Sequence, residues 1–247
     1  MNVVNDAWAF LTTGANWSGS EGIWALLVQQ LLITITAVAA ACLVGLPLAL
    51  WLGHIGRGGL LAINISNIGR AIPTFAVLVL LSVGPLGTGT LGPYGRSGLA
   101  TLVALLLFAL PPIITNAYVA MREVPAEVLE SARGMGMTGV QSLRRVELPL
   151  AAPLVISGVR LALVQVWATA TIAALVAGPG LGQIITDGFY HSDFGKGFAG
   201  AVVVAVVALV LELLAAGTQR AVDPVRRSRL PVTNGHRSAR DVEAVGG

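Results

Sequence analysis

Six charged residues, Glu127, Glu130, Arg133, Arg144, Arg145 and Glu147, fall within one stretch, EVLESARGMGMTGVQSLRRVELP, over residues 127–149. The stretch stands between two apolar runs, in a chain of 247 residues that holds only 15 Lys and Arg and 12 Asp and Glu. A charged, helix-patterned segment in that position is presented to water and to whatever binds it there. Other reactive side chains are scattered. Asp187, His191 and Asp193 share a loop without the repeated spacing of metal ligands, so neither a metal nor another cofactor is expected. Cys42 is the single cysteine and cannot form a disulfide within the chain. No GxxxxGK[ST] occurs, so this chain is not itself a P-loop ATPase. A membrane-embedded enzyme would need His, Asp or Glu clustered at one depth. None is seen, and no residue is assigned a catalytic role.

The elements that position the charged stretch follow from composition. Apolar residues make up 55% of the chain and charged ones 11%, against about 25% charged in a soluble domain. The fold class is all-α, a polytopic membrane protein with about five transmembrane helices. Spans are expected at about 23–52, 60–83, 99–118, 153–176 and 198–216, within a transmembrane domain over 22–217. Residues 1–21, with Trp8, Phe10 and Trp17, suit the headgroup level and carry no features of a cleaved signal peptide. The tail, 218–247, is expected to be disordered. Pro73 and Pro111-Pro112 should kink their spans. The net charge of +3 does not point to nucleic acid, because the basic residues sit at span ends. Placing the N-terminus outside puts Arg57, Arg122, Arg133, Arg144, Arg145 and the tail arginines in the cytoplasm. The segment 119–152 is then cytoplasmic, in a multi-pass protein of a bacterial plasma membrane.

Within that segment, Pro125 suits a first helical position. Glu127 and Glu130 lie near the positive end of the helix. Val128, Leu129, Ala132 and Met135 form an apolar stripe, and Gly134, Gly136 and Gly139 can end the helix. Thr138 and Gln141 fit a capping box that opens a second short helix, with Pro149 as its stop and Pro153 opening span four. The segment either docks a partner or lies amphipathically on the membrane.

Four further groups could act inside the membrane. Arg160 on span four either snorkels, pairs within the assembly, or forms a gate with Glu147 or Glu212; Arg70 on span two has the same choices. Glu212 reads as a surface anchor. Pro73, Thr74, Gln165, Thr169 and Thr171 could line a translocation path or simply bond helix to helix.

Glu130-Ser131-Ala132, three residues, Gly136, nine residues, then Val146-Glu147-Leu148-Pro149 resembles the EAA loop of binding-protein-dependent ABC importer permeases. Ser131 and Val146 stand where that family usually has Ala and Ile. GLPLALWLGHIGRG, the Arg-Ala-Ile-Pro-Thr of span two, MREVPAEVLESARGMGMT and WATATIAALVAGPGLG are similar to permeases of the osmoprotectant group, which import glycine betaine, choline, carnitine or proline betaine. The resemblance implies a type I importer permease fold. It implies a coupling helix in which Glu127, Glu130, Ser131, Ala132, Gly136, Val146, Leu148 and Pro149 meet or position an ATPase. The implied partners are ATP-binding-cassette ATPase subunits, a second permease copy or paralogue, an extracytoplasmic substrate-binding protein and membrane lipid. No aromatic cage for a quaternary ammonium is visible, in keeping with a separate binding protein. Rival readings are a permease for an amino acid or methionine, and an ion-gradient transporter. The latter would show intramembrane carboxylates and internal repeats.

Overall fold

In a computed structural model, residues 2–60, 64, 69, 71–95 and 97–222 are described, with backbone alone for 221 and 222. Arg70 and most of the tail lie outside them. Among the described residues the regular elements are helical. Helix α1 (Val3–Thr12) precedes α2 (Ile23–His54), α3 (Thr74–Val83) and α4 (Gly98–Arg122). Then come α5 (Ala126–Gly134), α6 (Gly139–Ser142), α7 (Leu148–Ala173), α8 (Gly182–Tyr190) and α9 (Phe194–Val222).

Four stretches are long and apolar enough to cross a membrane: Ile23–His54, Gly98–Arg122, Gly139–Val176 and Phe194–Arg220. The expected span at 60–83 is described mainly through its ten-residue second part, α3, which starts directly after Pro73. Proline lacks an N–H and disfavours α-helix for the residue before it, which is why α3 begins there. Pro111 and Pro112 do not interrupt α4. The last helix runs to Val222, so residues 218–222, expected in a disordered tail, are helical.

Helices α2 and α4 form the centre. On α2 the small residues Ala37, Ala41, Gly45, Ala49 and Gly53 recur every fourth position and are all buried. They make one flat stripe that lets a neighbouring backbone approach, as small residues do between membrane helices. A Cβ on Gly45 would lie 3.3 Å from Ile114 and Leu110, and one on Gly53 would lie 2.5 Å from Met121. Helix α7 closes the core with Ala162, Val166 and Ala170 against Ile33, Leu105, Ala109 and Ile113. At Gly158 it presses on α4, where a Cβ would lie 2.5 Å from Asn116. In α9 only 11% of the most apolar window is buried, so most of that helix faces away from the chain. The N-terminal segment is itself a helix, α1, packed on the start of α9. There, a Cβ on Gly195 would lie 2.5 Å from Asp6.

Candidate functional site

The charged segment folds as two helices and a turn. Pro125 takes the N-cap of α5, one position before the first helical residue, with Glu127 in the first turn and Arg133 in the last. These charges complement the helix dipole at both ends. Gly136 follows at φ +80°, with open space around its Cα, a left-handed conformation that glycine adopts without steric cost. The capping box then closes: Gln141 N–H donates to Thr138 Oγ1 at 3.4 Å, and Thr138 N–H donates to Gln141 Oε1 at 2.9 Å.

The expected apolar stripe divides. Ala132 is buried and Leu129 half-buried, whereas Val128 and Met135 point outward, Met135 71% exposed. On the second helix Val140 is 60% exposed. Glu127, Glu130, Ser131, Gly136 and Pro149 are exposed, and Val146 and Leu148 half-buried. Ser131 Oγ is turned back onto Glu127 O at 2.8 Å. The outer face thus carries carboxylates beside bare apolar side chains.

Pro149 does not stop the second helix. It sits in the first turn of α7, and a π turn, Leu143–Glu147, joins α6 to α7. In an unbroken α-helix the Pro149 ring would press on the carbonyl four residues earlier and leave it unpaired. The π turn widens the helix at that point, with Leu148 N–H donating to Leu143 O. The turn also buries Glu147, which is 4% exposed. Its Oε2 lies 2.8 Å from His54 Nδ1 at the end of α2, and its Oε1 accepts from Ser142 Oγ at 3.1 Å.

Among the candidates inside the membrane, Arg160 finds Glu212 on α9. Nε donates to Oε1 at 2.9 Å, Nη2 also bonds Glu212, and Nη1 reaches Gln219 Oε1 at 2.9 Å. Glu212 is therefore an interhelical partner rather than a surface anchor, and Glu147 is engaged elsewhere. The two carboxylates were separable only once it was clear which helices touch. Arg70 lies outside the described residues.

The five expected path residues are not all brought together. Pro73 is exposed and Thr74 half-buried at the start of α3. Gln165 is exposed on α7, in a strip with Leu161, Ala168, Ile172 and Leu175 that no described element covers. Thr169 is buried, its hydroxyl donating to Gln165 O at 2.9 Å. Thr171 bonds Trp167 O at 3.2 Å and accepts from Gln30 Nε2 at 2.9 Å, which is helix-to-helix bonding.

Gln30 was not singled out by the sequence, although a glutamine inside an apolar span signals a buried partner. It is fully buried, and its Oε1 accepts from Leu181 N–H at 2.8 Å in the GPGLG turn. Gly180 there has φ +113°, and a Cβ on it would lie 2.8 Å from Gln30. Nearby, Lys196 pairs with Asp187 and His191 lies 3.0 Å from it. The Lys196 ammonium holds the Asp187 carboxyl below the usual aspartate range.

Long apolar helices around a small-residue core, with a two-helix element between two of them, make an integral membrane protein that carries an exposed charged segment between spans. Residues 41–228 match the binding-protein-dependent transport system inner membrane component family, and the chain belongs to it. It is the integral membrane permease subunit of an ATP-binding-cassette importer, the kind that works with an ATPase and a substrate-binding protein. It is 36% identical to the osmoprotectant import permease protein OsmY of Salmonella typhimurium, over 79% of this chain and 80% of that one. It is 33% identical to the choline transport system permease protein OpuBB of Bacillus subtilis, over 82% of this chain and 89% of that one. With the carnitine transport permease protein OpuCD of Listeria monocytogenes it shares 34% identity, over 83% and 88%. Among solved structures, a chain of the MetNI methionine ABC transporter in inward-facing conformations superposes with a TM-score of 0.65. It is 25% identical, over 81% of this chain and 97% of that one.

Proposed function

We propose that this permease imports a small osmoprotectant such as glycine betaine, choline, carnitine or proline betaine, and that residues 127–149 are its coupling element. The observation that carries the coupling role is the outward face of α5 and α6. Val128, Met135 and Val140 stand exposed beside Glu127 and Glu130 on a segment stiffened by a capping box. Exposed apolar side chains rimmed by charge suit a protein partner in water better than a lipid headgroup layer. Ala132 packs inward and keeps the helix close to the membrane domain. Gly136 lets the chain reverse, and Leu148-Pro149 carry the element into α7.

The N-terminus lies outside and the tail in the cytoplasm on this reading. The uncovered strip of α7 around Gln165, together with Pro73 and Thr74, faces a second copy or a paralogue and shares the path with it. A weakly polar path suits a zwitterion that must not be held. Selectivity then belongs to the extracytoplasmic binding protein. Similarity to the choline, carnitine and osmoprotectant permeases supports the substrate class, and the charge bias of the loops supports the orientation. Arg160 and Glu212 act as a tie between α7 and α9 at the cytoplasmic side.

The test is uptake by the permease reconstituted with its ATPase and binding protein. ATP-dependent accumulation of radiolabelled glycine betaine, choline or carnitine is expected, with none of methionine. Methionine uptake with no betaine uptake would overturn the substrate class.

A further inference from the structure

Span one has no assigned part in coupling, yet its inner end is bound directly to the 127–149 element. Glu147 is a buried carboxylate, and such a group is costly unless both oxygens find partners. One partner, Ser142, is local; the other, His54, is the last residue of α2. In an α-helix, residues five apart point about 140° away from each other, following from 3.6 residues per turn. The π turn narrows that offset, brings Ser142 within hydrogen-bond reach of Glu147 and aims the carboxylate at α2. Apolar packing supports the contact: Leu50 of α2 meets Leu143, Leu148 and Ala151 around Ala120 and Met121. At the other end of the same helix, Gln30 holds Thr171 and the N–H of Leu181. From Gln30 to His54 is about 36 Å of helix at about 1.5 Å per residue, enough to cross the hydrocarbon core.

We infer that His54 and Glu147 form a positioning clasp that makes α2 move with the coupling element and carries its displacement to the GPGLG turn at the outer end. Covalently, a push on residues 127–149 passes only into α4, through residues 123–125, and into α7. With the clasp, a shift of the π turn must either unpair a buried carboxylate or take α2 along, and taking α2 along is the easier course. The inference rests on the importer reading and adds to it a second, non-covalent route of transmission.

The experiment uses the complete transporter in liposomes and reads three quantities: ATPase co-purification, solute uptake, and ATP hydrolysed per solute. Co-purification and uptake by the unmodified chain test the importer reading first; their failure sinks both claims. For His54→Ala, the ATPase subunit is expected to co-purify in normal ratio. Uptake should fall about tenfold, as suits a buried acceptor left without its donor, and ATP consumed per solute should rise. His54→Gln, whose amide can donate to Oε2, should recover most of the coupling ratio, which a merely structural defect would not allow. Normal uptake and a normal ratio in His54→Ala would overturn the inference. If that variant does not assemble, Cys42→Ser combined with His54→Cys and Glu147→Cys is treated with a short cleavable thiol crosslinker. Linking should raise uptake several-fold over the unlinked protein, and cleavage should reverse the gain. No gain, or a loss on linking, overturns the clasp.

Discussion

The two ends of the molecule are built from similar glycine-rich sequence and behave oppositely. At one end, Ala177, Gly178, Pro179 and Gly180 turn the chain against α2, where the Gln30 amide bonds Trp167 O, Thr171 Oγ1 and Leu181 N–H. Gly178, Pro179 and Gly180 are all buried. At the other end, Gly134, Gly136 and Gly139 are exposed, and so are the apolar side chains of Met135 and Val140. A glycine buried against a polar hub fixes a turn in place. A glycine in open space fixes only the direction of the chain and leaves its neighbours free to meet something else. The GPGLG end is self-sufficient; the 127–149 end, on the proposed function, is finished by a partner.

The strongest way to break that contrast is at Gly136. Gly136→Trp should abolish uptake and ATPase association while leaving the protein in the membrane at normal levels. A Cβ at this position meets nothing within 4 Å, so on the proposed coupling role the loss comes from the docking face. The left-handed φ adds a strain of about 1–2 kcal/mol for a residue with a Cβ. Normal uptake would remove the coupling role from this turn.

At the GPGLG end, Gln30→Leu removes three bonds and leaves the buried Leu181 N–H unpaired. A destabilisation of about 2 kcal/mol is expected, read as a lower melting temperature in detergent with ATPase association unchanged. An unaltered melting temperature would show that the hub is not what holds the turn. A smaller effect separates the two helical ties. Glu212→Gln should lower the melting temperature, and combining it with Arg160→Met should recover most of the loss, because the uncompensated guanidinium is removed with its partner. Additive losses would mean the pair does not act as a unit.

Smaller again is Thr138→Ala, which costs about 1 kcal/mol of local stability through the lost cap. It should speed amide exchange over residues 139–142 without lowering global stability, since the segment is held separately at Glu147. The smallest effect is at Asp187. Its carboxyl pKa is depressed by Lys196, so its contribution is present above the usual aspartate pKa and is lost as the pH falls through the lower folded value. The melting-temperature difference between wild type and Asp187→Asn should be slight at neutral pH, since the pair is partly open to solvent, and should vanish in strong acid.

Much of the 127–149 element was legible in the sequence because its signals are local. Thr138 and Gln141 lie three residues apart and close on each other with no help from elsewhere. Gly136 punctuates α5 for the same reason. Pro149 misled because a missing N–H can either end a helix or widen it. That choice depends on whether the next turns have a core to pack into, and α7 does. The stripe at Val128, Leu129, Ala132 and Met135 misled because periodicity marks apolar positions without saying which of them a neighbour covers. The small-residue stripe on α2 could have been read from its four-residue spacing, and it was hidden only by the uniform apolarity around it.

By itself the sequence determined the all-helical membrane class, the permease family and the local form of the element between spans. The first and last are set by composition or by residues within one helical turn of each other; the family was carried by the resemblance of a motif spread over residues 130–149. Only the tertiary structure decided that Arg160 meets Glu212, that Gln30 holds Leu181, and that Glu147 turns to His54. Those partners are 52, 151 and 93 residues apart. A buried charge or amide announces that it needs a partner; which one it finds depends on which helices pack side by side.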